Sequence, residues 1–301
     1  MAYDNSASDR ARRANAIRSL LYTPADHERK VVKVDHFGAD AIVLDLEDAV
    51  AMEHKVAARD LIQPALATMK NSTRSVRVND FTTGLTYGDI GAVVCEDLDI
   101  LILPKVESPE HLKLADREIS RLEAERGLAP GAIQMIPLLE TAVGLMRAYE
   151  IAMAAPARMP RLNFGLGDFS VDINVSITEQ GLELLYARSK LVIASRAARL
   201  APPLDGPFLD IHDDDGLRQN TKQSRELGLH GRVCVYPKQV DTVNDVYARV
   251  TPEELVRAKR IVELFEVALK DGSASIQIDG EFIDYPLYNR CVAMLEESGA
   301  R

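Results

Sequence analysis

Short apolar runs recur along this chain, and a polar stretch with helical spacing follows most of them. Arg18–Thr23 (RSLLYT), Ala41–Leu46 (AIVLDL), Ser75–Asn79 (SVRVN), Ile100–Leu103, Met135–Leu139, Leu162–Leu166 and Val233–Tyr236 have the length and composition of buried strands. Pro203–Phe208 is a weaker eighth candidate. Helical periodicity is expected after Ala25 up to Gly38, over roughly 53–70, from Ser108, between Leu139 and Leu162 as one helix, from Glu183 to Leu200, and from Asp213 to Leu227. Eight strand-then-helix units at a spacing of roughly 25–35 residues predict a parallel sheet closed into a (β/α)8 TIM barrel. A doubly wound open sheet is the alternative, but no G-x-G-x-x-G follows the first strand, which removes its dinucleotide-binding version. Residues 1–17 read as a loose polar arm and 18–265 as the barrel. The loop-rich segment 266–301 reads as a C-terminal extension that caps the barrel or reaches a neighbouring subunit.

Composition narrows the class. The chain has 301 residues, 47% of them apolar, enough for one barrel-sized core. It has no apolar run long enough for a membrane span, and its N-terminus lacks the apolar centre of a signal peptide, so a cytoplasmic protein is expected. Three scattered cysteines make neither a disulfide framework nor a metal knuckle. A formal charge of -10 disfavours nucleic acid or a membrane surface as partner.

The chemistry concentrates where strands end. Glu47 and Asp48 follow strand two, Lys105 strand four, Glu140 strand five and Asp168 strand six, while Arg77 lies within strand three. In a barrel these positions share the C-terminal edge, where active sites sit. Glu140 and Asp168, one unit apart, are hard oxygen donors suited to Mg²⁺ or a similar ion. The plainer alternative is that each acid caps or pairs with the next helix. Arg77 is a candidate carboxylate clamp, with an internal ion pair to Glu47 or Asp48 as the alternative. Arg29, Lys30 and Lys33, after Tyr22, form either a solvated basic face or a contact for a phosphate-bearing ligand. No G-x-S-x-G elbow and no H-E-x-x-H is present, and the aspartates of HDDDG (Asp213–Asp215) read as a helix N-terminal charge cluster.

The motifs RSLLYTPADHERKVVK, AIVLDLEDAV with Ala58-Arg59, SVRVN, ILPKVES, IPLLETAVGL, NFGLGDFSVD and DGEFIDYP occur in that order from about Arg18 to Leu295. Together they resemble the citrate lyase β-subunit-like group of the HpcH/HpaI aldolase superfamily, in its citryl-, malyl- and citramalyl-CoA lyase branch. The resemblance implies a Mg²⁺-dependent lyase that cleaves a carboxylated 3-hydroxyacyl-CoA by a retro-Claisen step, as a homotrimer or hexamer. By position, Glu140 and Asp168 would be the Mg²⁺ ligands, and Arg77 would hold the substrate carboxylate. Tyr22, Arg29 and Lys33 would contact the substrate on its CoA side. Asp45, Glu47, Asp48 and Lys105 would stand behind the metal ligands, and Asp284 would be the catalytic acid–base, reaching an adjacent subunit's site. Two departures concern the pocket: TPAD replaces the family's PGD or PGN turn, and Tyr236 in VYP replaces a histidine that would shape one wall. A pyruvate-class aldolase without CoA, a malyl-CoA-type thioesterase, and a subunit acting on a carrier-bound citryl thioester are the alternatives.

Overall fold

The structure, a computed structural model, describes residues 6–27, 31, 33–248 and 251–299. The chain divides into two compact units, Met1–Tyr247 and Ala248–Arg301.

The first unit is the barrel. Its strands are β1 (Ser19–Pro24), β2 (Ala41–Asp45), β3 (Thr73–Arg77), β4 (Ile100–Leu103), β5 (Gln134–Leu139), β6 (Asn163–Phe164) and β7 (Arg232–Cys234). They run parallel in the order β6-β5-β4-β3-β2-β1-β7. Two isolated parallel bridges, Asn163 to Leu204 and Asp205 to Arg232, join β6 to β7 and close the ring. The eighth strand expected over Pro203–Phe208 is thus reduced to two residues. Pro202, Pro203 and Pro207 flank them, and a proline has no N–H to give a ladder.

Alternation along the strands sorts two apolar layers. Inward-facing Leu20, Ala41, Val43, Ile100, Ile102, Ile136 and Leu204 fill the barrel. Outward-facing Leu21, Ile42, Leu44, Leu101, Leu103, Met135 and Leu139 pack under the surrounding helices. Of the segment 1–17, expected as a loose arm, the described residues 6–17 are ordered into the fold. Ala7–Ala16 is a helix, with Ser6 accepting from Asp9 N at its start, and Ala14 and Ile17 join the interior cluster. Two of its arginines are drawn inward: Arg10 is buried 3.3 Å from Asp99, and Arg13 Nη2 lies 2.9 Å from Asp99; from the barrel side, Arg161 donates to the carbonyls of Ile17 and Pro202. The single helix expected between β5 and β6 is two, Ala142–Met146 and Ala148–Met153, broken at Arg147. Asp213 caps the helix Asp214–Leu227 by accepting from Gly216 N at 2.8 Å.

The second unit starts earlier than residue 266. The helix Pro252–Lys270, opened by a Thr251–Glu254 capping box, carries Ala258, Ile261, Val262 and Phe265 into a core shared with Ile283, Cys291 and Leu295. The expected boundary at 265 falls inside this helix, because its apolar face is spent on the hairpin and last helix. That hairpin pairs β8 (Ser275–Ile278) with β9 (Glu281–Asp284), and Asp279 and Gly280 turn with φ 51° and 86°. Helix Tyr285–Glu297 follows. Among the described residues, no helix is long and apolar enough to cross a membrane.

Candidate active site at the barrel mouth

The C-terminal ends of the strands surround a cavity of about 410 Å³. Tyr22, Asp45, Asp48, Arg77, Glu140 and Asp168 all line it. Parallel pairing explains the convergence: Pro24, Asp45 and Arg77 are register partners across β1, β2 and β3, so their side chains emerge at one level.

Arg77 organises one side. Its Nε and Nη2 donate to the two oxygens of Asp45 at 2.7 and 2.6 Å, a bidentate fork, and its Nη1 lies 2.8 Å from Glu47. The ion pair weighed from the sequence is therefore formed. Its bidentate partner is Asp45, while Asp48 stays at 3.8 Å. Asp45 is held by the backbone N–H groups of Glu47 and Ala49 as well. Lys105 Nζ donates to Glu47 at 2.7 Å, and its backbone N–H donates to Glu140 Oε1 at 2.9 Å. That N–H is aimed by a left-handed backbone at Lys105, φ 49°, a conformation costing about 1 kcal/mol that persists where neighbours fix it. Arg77 also sits 5.1 Å from the centre of the Tyr22 ring.

The electrostatics are unbalanced toward negative charge. Burial pushes Glu47 up to about 7, against the pull of Arg77 and Lys105. Burial first, then repulsion by Glu47 and Asp168, raises Glu140 well above the usual carboxylate range. Burial also raises the Tyr22 phenol, whose buried hydroxyl finds no hydrogen-bond partner among the described groups.

Gly165 completes the arrangement. A β-carbon there would stand 2.3 Å from Glu140 Oε2, so only glycine leaves room beside this carboxylate. The donor set fits Mg²⁺: two carboxylates is what that ion commonly takes from protein, with water and substrate completing its sphere. A zinc-type group of three or more His, Cys, Asp or Glu is absent among the described residues.

Other expected residues lie elsewhere. Arg29 is outside the described residues. Lys33 is exposed and is not among the residues lining the mouth cavity. Asp284 belongs to the second unit, where its carboxylate caps the last helix at Leu287 N. Tyr236 does not line the cavity either; its neighbours Val233 and Val235 do. The sequence reading missed Gly165, though a glycine between a strand and its acidic end is a sign of close approach. It also missed the bracket behind the mouth. Asp89 accepts from Asn79 and from Arg59 Nε at 2.7 Å, and Lys55 Nζ donates to the Leu46 carbonyl at 3.1 Å.

Fold and site together define a (β/α)8-barrel protein with an acidic, cation-ready mouth. A family model described as HpcH/HpaI aldolase/citrate lyase matches residues 18–237, and the chain belongs to that family. It is 33% identical over 285 residues to citrate lyase subunit beta of Leuconostoc mesenteroides subsp. cremoris, covering 94% of this chain and 93% of the other. It is 31% identical over 276 residues to (3S)-malyl-CoA thioesterase of Cereibacter sphaeroides, covering 91% and 92%. A crystal structure of CitE from Mycobacterium tuberculosis, in complex with magnesium, acetoacetate and coenzyme A, matches with a TM-score of 0.74 at 27% identity, over 95% of this chain and 99% of that one.

Proposed function

We propose that this chain is a Mg²⁺-dependent carbon–carbon lyase that splits a carboxylated 3-hydroxyacyl thioester, of the malyl-, citramalyl- or citryl-CoA type, into a 2-oxo acid and an acyl-CoA. The observation that carries the reading is the pair Glu140 and Asp168, lining one cavity with Arg77 behind a glycine that keeps space beside Glu140. The magnesium and coenzyme A bound by the M. tuberculosis relative support the same reading.

In this reading Glu140 and Asp168 hold the ion, and Lys105 N–H fixes the Glu140 carboxylate. A bound Mg²⁺ supplies Lewis acidity toward the hydroxyl and carboxylate of the substrate. The step balances without an oxidant. The hydroxyl proton leaves, and its C–O becomes the 2-oxo carbonyl. The C–C bond breaks with its electron pair passing to the thioester, and the resulting enolate takes up one proton at carbon. The unpartnered Tyr22 hydroxyl is a donor for a substrate oxygen in a water-poor setting. Arg77 holds Asp45 and Glu47 in place through its fork and its Nη1.

Asp284 matches the family's acid–base position. We assign it the carbon protonation, served to the site of a neighbouring copy in a trimer or hexamer. Asp284→Asn should lower kcat at least about 100-fold and leave Mg²⁺ affinity unchanged; an unchanged kcat refutes the assignment. Hydrolysis of the thioester is the second reading, favoured by the named activity of the C. sphaeroides relative. One assay separates the two. Purified protein with Mg²⁺ and malyl-, citramalyl- or citryl-CoA should release a 2-oxo acid and an acyl-CoA in equal amounts. Free CoA with the intact hydroxy acid would establish hydrolysis.

A further inference from the structure

Followed in sheet order, the wall of the mouth cavity divides into two arcs. The strand ends from β2 to β5 carry Asp45, Arg77 and Glu140, and Asp168 follows β6. The rest of the ring, from Pro207 after the Leu204–Asp205 bridges through Val233 and Val235 to Pro24 of β1, presents uncharged side chains, apolar except for the hydroxyls of Tyr22 and Thr23 on β1. Leu138 extends this surface beneath Glu140, on the inward face of β5. Among the described lining residues Arg77 is the one cation, and Asp45 and Glu47 already match it.

We propose that this division makes the site selective for a carbinol carbon bearing hydrogen or a small alkyl group, and against one bearing a second carboxylate. The inference rests on the lyase reading above. A 2-hydroxy carboxylate directed at Glu140 and Asp168 leaves two further substituents on its carbon. One is the methylene leading to the thioester; the other turns toward the apolar arc. A methyl group or hydrogen there meets Val233, Val235 and Pro207. A carboxymethyl group there brings a charge that finds no free cation among the described lining residues. It also adds to the five acids already grouped at the mouth (Asp45, Glu47, Asp48, Glu140 and Asp168), against which Arg77, Lys105 and a divalent cation held by Glu140 and Asp168 leave no net positive charge. An unpaired buried charge is rejected far more strongly than a missing methyl group is. The substrate is therefore of the malyl or citramalyl type, yielding glyoxylate or pyruvate. The citryl thioester, which yields oxaloacetate, is excluded. Val235, 43% exposed at the rim, is the residue that sets this preference.

The test is a comparison of kcat/KM for malyl-CoA, citramalyl-CoA and citryl-CoA on the full chain with Mg²⁺, following the 2-oxo acid. The best one-carboxylate substrate should exceed citryl-CoA by at least about 100-fold. Val235→Lys, which places an ammonium on the apolar arc, should narrow that gap by at least about 10-fold through faster citryl-CoA turnover. Citryl-CoA within about 5-fold of the best substrate on the wild-type chain overturns the proposal, whatever the variant does. If no thioester is cleaved, the lyase reading fails. Calorimetric titration of the uncleaved thioesters then decides selectivity on its own: citryl-CoA binding as tightly as citramalyl-CoA overturns it, and weaker binding by the same margin sustains it.

Discussion

Arg77→Met tests the electrostatic frame of the mouth most severely. Methionine keeps much of the apolar stem, so what is lost is the guanidinium. That group holds Asp45 through two hydrogen bonds of 2.7 and 2.6 Å and stands 2.8 Å from Glu47. Both acids are buried, at 1% and 2% exposure. Removing one partner of a buried ion pair costs about 3–5 kcal/mol, because the other charge stays desolvated. Here the loss is cushioned. Asp45 keeps the N–H groups of Glu47 and Ala49, and Glu47 keeps Lys105. The expected destabilisation is therefore at the lower end, about 3 kcal/mol. Urea unfolding in EDTA at pH 7.5 reads it. Adding Asp45→Asn to the variant should recover at least about 1 kcal/mol relative to the sum of the single changes, because the two sites share one interaction. A stability within about 1 kcal/mol of wild type, or strict additivity, refutes the role of Arg77 as the buried partner of these two acids.

Gly165→Ala would place a β-carbon 2.3 Å from Glu140 Oε2, so Mg²⁺ affinity by calorimetry should fall at least about 10-fold; unchanged affinity contradicts the crowding argument. Glu47 predicts a pH profile. Its folded pKa of about 7 lies above the ordinary 4.5, so the folded state holds this proton more tightly than the unfolded state. With respect to this group, stability in EDTA should be highest below pH 4.5 and should fall by about 3 kcal/mol between pH 4.5 and 7, levelling off above. Glu140 acts in the same direction. Glu47→Gln should flatten that fall, and an equally steep profile in the variant rules out Glu47 as its source.

Most of the barrel was legible because a parallel strand buried on both faces is a short apolar run, and β1 to β5 each present one. Strand ends could be read as a shared edge, which is how Glu140, Asp168 and Arg77 were brought together before any geometry was known. Other features were hidden for physical reasons. The Leu204–Asp205 segment is held by two bridges between prolines, so it has little strand pattern to find. The N-terminal helix looked solvated because its arginines are polar in composition, yet Arg10 is spent on Asp99 inside the fold. Glu47 and Asp48 were the partners of Arg77 weighed from the sequence, and Asp45 was missed because the pairing depends on side-chain direction; Asp45 is the last residue of β2 and points inward, whereas Asp48 lies three residues further on and is half exposed. Tyr236 drew notice as a departure from the family pattern, but strand alternation turns Val235, not Tyr236, toward the cavity.

The most direct measurement is Mg²⁺ binding to the full chain by calorimetry, repeated with Glu140→Gln and with Asp168→Asn. The wild-type chain should bind one Mg²⁺, and each variant should lose at least about 30-fold in affinity with far-UV circular dichroism unchanged. Stoichiometric binding that persists in both variants would place the cation away from the barrel mouth and refute Glu140 and Asp168 as its ligands.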